Sequence, residues 1–383
     1  MSRKEDIQNI IALDLRAASL DRGGIGRYTI GMTSALLRYS EEHPVQIGFQ
    51  LYTAKGGWDF TQFQGDRVRI DGRWNWCTNG ILRNGLLLPL SSATGSYKLL
   101  HSFDYLGPYT FFTRKLIISV HDLIPIHFPE LATIRHRFVA RCLLPRSLHL
   151  ADAIIVQSNY VAEEVRERFP RASGKIYIVP PGIESYFAPS SDETIQQIRK
   201  IYGLPQRYLL FLKVDDPKKN IRGAVRALKS ILECREFADI SLAICGNPHP
   251  ELPAEINSII NPFEKNLVWL GFVPEDHLPA LYSGALALLF PSICEGFGYP
   301  ILEAMACGCP VITSNLTSMP EVSGNRALCI DPTNADEMAH ALLQVVENDQ
   351  LRKELRAGGL EWSQQFTWEK SAARIVELYS ELL

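Results

Sequence analysis

Short runs of β-branched and aromatic residues recur along this chain, separated by stretches with helical character, and the series begins twice. The first comprises IIALDL (10–15), QIGFQLYT (46–53), KLLHSF (98–103), KLIISVHDL (115–123) and AIIVQS (153–158), and closes with KIYIVPPGIE (175–184). The second comprises YLLFLKV (208–214), ISLAICG (240–246), LVWLGFV (267–273), ALALLFPS (285–292) and PVITSN (310–315). Strands that are apolar throughout belong to parallel sheets covered by helices on both faces, whereas half-exposed strands alternate. The pattern therefore predicts α/β architecture in two doubly wound units, with ligands expected at the carboxyl ends of the strands. A length of 383 residues agrees, because a single core stops growing before that size; a cleft between two domains is expected.

The boundary is placed near residues 182–195, at the Pro-Pro-Gly segment and the polar stretch Pro189 to Thr194, where neither strand nor helix is expected to continue. The last segment, WEKSAARIVELYSELL (368–383), has apolar residues at helical spacing and reads as an amphipathic helix. Period alone does not say which domain it packs on.

A formal net charge of -3 gives no general reason to bind nucleic acid, which calls for a basic face. The start, MSRKEDIQNIIALDL, reads as a first strand and not as a signal peptide, and no stretch approaches the roughly 20 apolar residues of a membrane span. The eight cysteines show no zinc-ligand spacing and mostly sit in apolar runs, which suits reduced thiols in a cytoplasmic protein.

The most informative stretch is PSICEGFGYPILEAMACGCPVITSN, from Pro291 to Asn315. A strand ends in an acid and a Gly-Phe-Gly loop, and a helix follows, so that Glu295 falls on the loop and Glu303 inside the helix. Gly296 and Gly298 allow close backbone approach, and the N–H groups opening the helix attract an anion such as a diphosphate. Two glutamates at this spacing are ordinarily solvated helix residues. Here they flank apolar, glycine-rich sequence with no Lys or Arg nearby in the chain, which is odd for surface decoration.

The run EGFGYPILEAMACGCPVI resembles the E-x7-E signature of glycosyltransferase family 4. The resemblance extends to GGIGRY (23–28), HDLIP (121–125), VPPGIE (179–184), PKKN (217–220), LGFVPEDHLPALYSGALALLFPS (270–292) and the terminal FTWEKSA. It implies the GT-B fold, two Rossmann-like domains facing each other across a cleft: an acceptor-side domain over 1–185, a nucleotide-sugar domain over 186–367, and a helix over 368–383 that crosses back to the first. It also implies a retaining transferase that takes a hexose from a nucleotide diphosphate donor. Several motifs resemble the branch of bacterial mannosyltransferases in surface polysaccharide and lipopolysaccharide biosynthesis, which makes GDP-mannose the first choice of donor.

Through the same resemblance Glu303 meets the donor ribose, and Glu295 reaches the donor sugar hydroxyls or the positive charge that develops beside them. Amides around Gly296, Phe297, Gly298 and Tyr299 hold sugar and phosphate. His121 contacts the donor sugar, and Asp122 orients that imidazole or meets the acceptor. The glycine loop around Gly24 lies under the donor phosphates, with Arg27 as a secondary, acceptor-side candidate. Lys219 neutralises leaving-group charge, Lys218 stands beside it, Phe272 and Val273 offer backbone contacts to the base, and Leu278 packs on its face.

One departure stands out. Many family members have Gly then Arg or Thr where this chain has Lys213 and Val214, so the usual Arg partner of the phosphate lysine is missing. Lys213, Lys218 or an arginine of the first domain then replaces it, or catalysis is weaker. The segment IRHRFVARCLLPRSLHL (134–150), with Arg135, Arg137, Arg141 and Arg146, reads as a helix with a snorkelling basic side, or as a patch for a lipid diphosphate acceptor or an anionic membrane.

The chain has no Asp-x-Asp to chelate a metal on the donor, so no metal cofactor is expected. The expected partners are the nucleotide-sugar donor and a glycan or lipid-linked acceptor, with peripheral contact at the inner membrane surface. Two other readings stay open: a nucleotide-sugar epimerase or phosphorylase on the same scaffold, and a non-catalytic subunit, which the Lys213-Val214 departure would permit. UDP- and dTDP-sugars stay open as donors.

Overall fold

The computed structural model describes residues 9–18, 23–43, 45–53, 57–72, 77 and 79–383, without the side chain of Leu131. The first eight residues, on which the reading of the N-terminus partly rests, lie outside the described residues. The chain divides into two compact units, Met1–Gly182 with Phe366–Leu383, and Ile183–Gln365.

Unit 1 is built on strands β1 (Asn9–Asp14), β2 (Ile47–Tyr52), β3 (Val68–Asp71), β4 (Leu99–Ser102), β5 (Lys115–Val120), β6 (Ala153–Val156) and β7 (Ile176–Ile178). They form one sheet in the order β3-β2-β1-β4-β5-β6-β7, and every pairing is parallel. Unit 2 contains β8 (Tyr208–Phe211), β9 (Ser241–Cys245), β10 (Leu267–Gly271), β11 (Ala287–Phe290), β12 (Val311–Ser314) and β13 (Leu328–Ile330), ordered β10-β9-β8-β11-β12-β13 and again all parallel. The central strands β4, β6, β8, β9, β11 and β12 are buried at every position, as continuous apolar runs require. The GT-B expectation of two Rossmann-like units is met.

Strands β3 and β13 were not foreseen. Each lies at a sheet edge, is three or four residues long, and is buried at only one position. An edge strand covered on one side has no need of an apolar run, so its sequence carries little signal. The helix Asp192–Tyr202 also begins inside the stretch Pro189–Thr194 that was expected to be irregular. Ser191 caps it, with Oγ accepting from the Thr194 amide at 3.2 Å. The basic segment 134–150 is not one regular helix but Ile134–Phe138, a wide π turn over Val139–Leu143, and Leu144–Leu150. Pro145 has no N–H to return to the Arg141 carbonyl, and the widened turn accommodates that loss.

The last helix, Trp368–Leu382, belongs to unit 1 and packs on the first helix, Gly24–Glu42. Thr367 caps it, accepting from the Lys370 amide at 3.3 Å, and Ala372, Ile375, Val376, Leu378 and Tyr379 form its buried face. Close approach is required where it starts. A Cβ on Gly182 would stand 2.1 Å from the Trp368 amide nitrogen, and one on Gly31 would stand 2.3 Å from the Trp368 ring. Among the described residues, no helix is long and apolar enough to cross a membrane.

Candidate active site

In unit 2 the strand order reverses between β8 and β11, the place where an open parallel sheet leaves room for a ligand beyond its carboxyl ends. The loops leaving these two strands carry PKKN and EGFG. In the first, Asp216 Oδ1 accepts from the Lys218 amide at 3.0 Å and closes a short turn, Pro217–Lys219. Asn220 follows in left-handed geometry and caps the helix Ile221–Leu232 through the Gly223 amide at 3.2 Å. The Lys218 carbonyl accepts from the Ile293 amide at 2.8 Å and lies 3.2 Å from Ser292 Oγ, which ties the second loop to the first.

That stitching brings Lys219 and Glu295 together. The Lys219 ammonium donates to Glu295 Oε1 and stands 4.6 Å from the centre of the Phe290 ring, and only 5% of Lys219 is exposed. Ser292 Oγ donates to the same carboxylate oxygen at 2.5 Å. Burial pushes the Glu295 carboxyl up, but the charges of Lys219 and Lys218 and the hydrogen bonds from Lys219 and Ser292 together hold it below the ordinary glutamate range. Glu295 is therefore an anion at neutral pH. It has no proton to give, and its chemistry is to accept hydrogen bonds and to face positive charge.

The loop after Glu295 is held from the Thr317–Ser318 turn. Thr317 Oγ1 accepts from the Glu295 amide at 3.2 Å, and Ser318 Oγ lies 3.0 Å from both the Glu295 and Phe297 carbonyls. Gly298 sits at φ 101°, a conformation that side chains rarely adopt, and starts the helix Tyr299–Ala306. Phe297 is buried and meets Tyr299 edge-on at 5.4 Å. Within that helix Glu303 is buried, and its Oε2 accepts from the Tyr282 hydroxyl at 2.9 Å. Gly271, at φ 63°, ends β10 at the same edge of the sheet; Phe272 after it is 76% exposed, while Val273 and Leu278 are half-buried.

Lys213, where the family pattern has glycine, lies at φ 57°. The chain keeps the left-handed turn that a glycine adopts freely, although such a conformation costs an L-residue about 1–2 kcal/mol. Lys213 is exposed at the end of β8, whereas Val214 is buried and its amide donates to the Cys245 carbonyl at 3.1 Å. Lys218 is 3.5 Å from Asp216 Oδ2. Lys219 donates to Glu295, and the Lys218 charge also acts on that carboxylate.

In unit 1, His121 directly follows β5 and is buried. Its Nε2 is 2.8 Å from the Phe103 carbonyl and its Nδ1 is 2.8 Å from the Gln157 amide nitrogen. A carbonyl can only accept, so Nε2 carries the proton and Nδ1 accepts from Gln157. Gln157 is thus the orienting partner at hydrogen-bond distance; Asp122 Oδ1 accepts from the Ile124 amide at 3.0 Å. A ligand contact through an imidazole nitrogen requires one of these two bonds to open. Tyr28 of GGIGRY packs edge-on against His121 at 4.9 Å, so two motifs far apart in sequence share one core. Gly24 and the half-buried Arg27 open the first helix, and a Cβ on Gly24 would meet nothing within 4 Å.

Behind His121, His101 Nδ1 meets the Tyr379 hydroxyl at 2.7 Å and Nε2 meets Ser119 Oγ at 3.1 Å. Burial, with a smaller contribution from His121, lowers the His101 pKa from 6.5 to about 3, and burial lowers that of His121 as well. A histidine buried neutral binds fewer protons folded than unfolded, so stability is complete above the unfolded value and is lost as pH falls below it. Unit 1 is expected to lose melting temperature steadily from about pH 6.5 downward. His101→Gln is expected to flatten that slope in a melting series across pH, and an unchanged slope would assign the acid sensitivity elsewhere.

Sequence reasoning missed Ser292, Tyr282, Thr317, Ser318 and Gln157. Ser292 and Tyr282 lay inside quoted motifs, Tyr282 on the helix Leu278–Gly284, but nothing local marked them as contacts; Thr317, Ser318 and Gln157 reach the site from other parts of the chain.

Comparison with known proteins bears on family and fold. Residues 22–185 match the family model described as Glycosyltransferase Family 4, and residues 194–362 match that of Glycosyl transferases group 1. The chain is 30% identical over 305 residues to O-antigen chain mannosyltransferase B of Escherichia coli, covering 75% of this chain and 80% of that protein. It is 30% identical over 278 residues to the serotype-specific mannosyltransferase WbdA of Escherichia coli, covering 70% of this chain but only 34% of that longer protein. Among solved structures it resembles sucrose-phosphate synthase from Thermosynechococcus elongatus, with a TM-score of 0.75 at 21% identity over 98% of this chain and 99% of that one. With two Rossmann-like units, an E-x7-E pair that spans the loop and helix after β11, and a relative of this similarity over most of both lengths, the chain belongs to the glycosyltransferases of family 4 and has the GT-B fold.

Proposed function

We propose that this glycosyltransferase transfers a hexose with retention of configuration from a nucleotide diphosphate donor, mannose from GDP-mannose first, to a glycan or lipid-linked acceptor in surface polysaccharide synthesis. Peripheral contact with the cytoplasmic face of a membrane is part of this reading. The observation that carries it is the buried Lys219–Glu295 pair at the reversal of strand order, beside the helix that holds Glu303. The two E. coli mannosyltransferases support the choice of sugar.

In this reaction Glu303 takes the donor ribose and the amides of Gly296 to Tyr299 take sugar and phosphate. Phe272, Val273 and Leu278 receive the base. Lys219, with Lys218 beside it, balances charge as the diphosphate departs, a role suited to a compact ammonium. Glu295, ionised, faces the oxocarbenium-like sugar. The reaction proceeds by front-face substitution and not through a carboxylate nucleophile: the acceptor oxygen attacks the face that the phosphate leaves and its proton passes to that phosphate. At the carboxyl edge of the unit 1 sheet, the loop of Gly24 serves the donor phosphates, His121 the donor sugar, and Arg27 and Asp122 the acceptor.

Calorimetry with GDP, UDP, dTDP and ADP, with and without EDTA, tests the donor assignment. The expected result is one clear binder, GDP, unaffected by EDTA and weakened by Glu303→Ala. Tight binding of UDP or dTDP instead would reassign the donor; binding lost with EDTA would overturn metal independence. No binding at all would bring forward the non-catalytic reading.

A further inference from the structure

Exposed large apolar side chains gather on one part of unit 1. Leu82, Leu86 and Leu90 follow one another at a spacing of four along the continuous helical run Gly80–Thr94, and each is exposed. Ile134 and Phe138, one turn apart on the basic segment, are 78% and 52% exposed, and Phe111 is exposed as well. The Tyr109–Thr110 turn joins these pieces. Tyr109 donates to the Ile81 carbonyl and Thr110 to the Gly85 carbonyl, both at 2.8 Å, and the same turn lines an open groove of ≈ 1050 Å³ with Phe138, Arg141 and Arg146. An apolar stripe facing water on a helical run is a cost to the folded chain unless something covers it.

Charge shows what kind of surface would cover it. Between Asn79 and Leu150 the sequence holds eight Lys or Arg and three Asp or Glu, while the remainder holds 31 and 39. The basic excess is thus confined to the stretch that exposes the apolar tips. Arg83 is spent internally on buried Asp14, at 2.8 Å, but Arg135, Arg141 and Arg146 are exposed, and no acid lies between Leu131 and Ala151. A second copy docked through this face by a two-fold axis would set basic surface against basic surface. A bilayer with anionic headgroups does the reverse: phosphates meet the guanidinium groups while the apolar tips enter the interface.

We propose that this face of unit 1, centred on the Phe138–Arg141–Arg146 groove, rests on an anionic phospholipid bilayer. The proposal rests on the membrane contact included in the functional reading and names its surface and its lipid, but bilayer binding requires neither donor nor transfer. Failure of one is therefore distinguishable from failure of the other.

The test is co-sedimentation of the full chain with vesicles of phosphatidylcholine alone or mixed with phosphatidylglycerol. Binding is expected to the mixed vesicles and not to the neutral ones, and to fall with added salt. At roughly fivefold per surface charge, Arg141→Glu with Arg146→Glu is expected to lower partitioning by more than about 20-fold. Leu86→Glu with Phe138→Glu is expected to abolish it at any salt, and Ile201→Glu, an exposed position of unit 2, to leave it unchanged. Circular dichroism of each variant separates lost docking from lost folding. No binding to either vesicle, equal binding to both, or unaltered binding by the folded variants would overturn the proposal, as would self-association in place of vesicle binding.

Discussion

Lys219→Met is expected to destabilise unit 2 by about 3 kcal/mol, the effect of leaving one member of a buried ion pair without its partner. Lys219 and Glu295 side chains are 6% and 14% exposed, so neither charge is well solvated, and the ammonium and the Ser292 hydroxyl share one carboxylate oxygen. Glu295→Gln is expected to cost a similar amount, because it leaves Lys219 charged against the Phe290 ring. The double variant Lys219→Met with Glu295→Gln is expected to regain most of the loss, since removing both charges removes the desolvation penalty along with the attraction. Chemical denaturation of the four proteins gives the coupling directly. Additive losses would show that the two residues do not act as a pair. Transfer is expected to behave differently: the stable double variant remains slow by about 10²–10³, because folding needs the charges only to cancel, whereas the departing diphosphate needs the cation itself.

Gly182→Ala is expected to loosen the last helix and to cost unit 1 about 3 kcal/mol, the upper end of the usual cost of overpacking. The added methyl would sit 2.1 Å from the Trp368 amide nitrogen and 2.6 Å from the Thr367 carbonyl carbon. Both are backbone atoms, so no rotamer change relieves the overlap. The neighbouring chain is also fixed, with Ser371 Oγ donating to the Pro180 carbonyl at 2.6 Å. Relief comes only by moving the helix start, which opens the contact of Ala372, Ile375 and Tyr379 with the body of unit 1 and strains the Tyr379–His101 hydrogen bond. Limited proteolysis and melting provide the measurement. Faster cleavage within 366–382 and a lowered melting temperature are expected, resembling a chain that ends at Gln365. Gly174→Ala, where a Cβ would meet nothing within 4 Å, is the control and is expected to change stability by less than about 0.5 kcal/mol. Equal behaviour of the two alanine variants would show that the helix start can shift freely.

Local pattern was enough for the class of fold and for the elements on which Glu295 and Glu303 fall. Parallel strands buried on both faces must be apolar along their length, so the central strands announced themselves, and a glycine loop between strand and helix is equally local. Glu295 on the loop and Glu303 in the helix followed from those same few residues. Folding alone decided the rest, because the deciding contacts join residues distant in the chain. Glu295 has no cation near it in sequence, and the one it uses, Lys219, arrives from the neighbouring strand's loop because β8 and β11 pair where the sheet order reverses. The orientation of His121 comes from Gln157, on the adjacent strand's exit, and the last helix finds the first because Gly31 and Gly182 leave room for Trp368. Edge strands β3 and β13 stayed hidden for the opposite reason: half-exposed and short, they bury too little to demand an apolar sequence, and only the sheet beside them makes them strands.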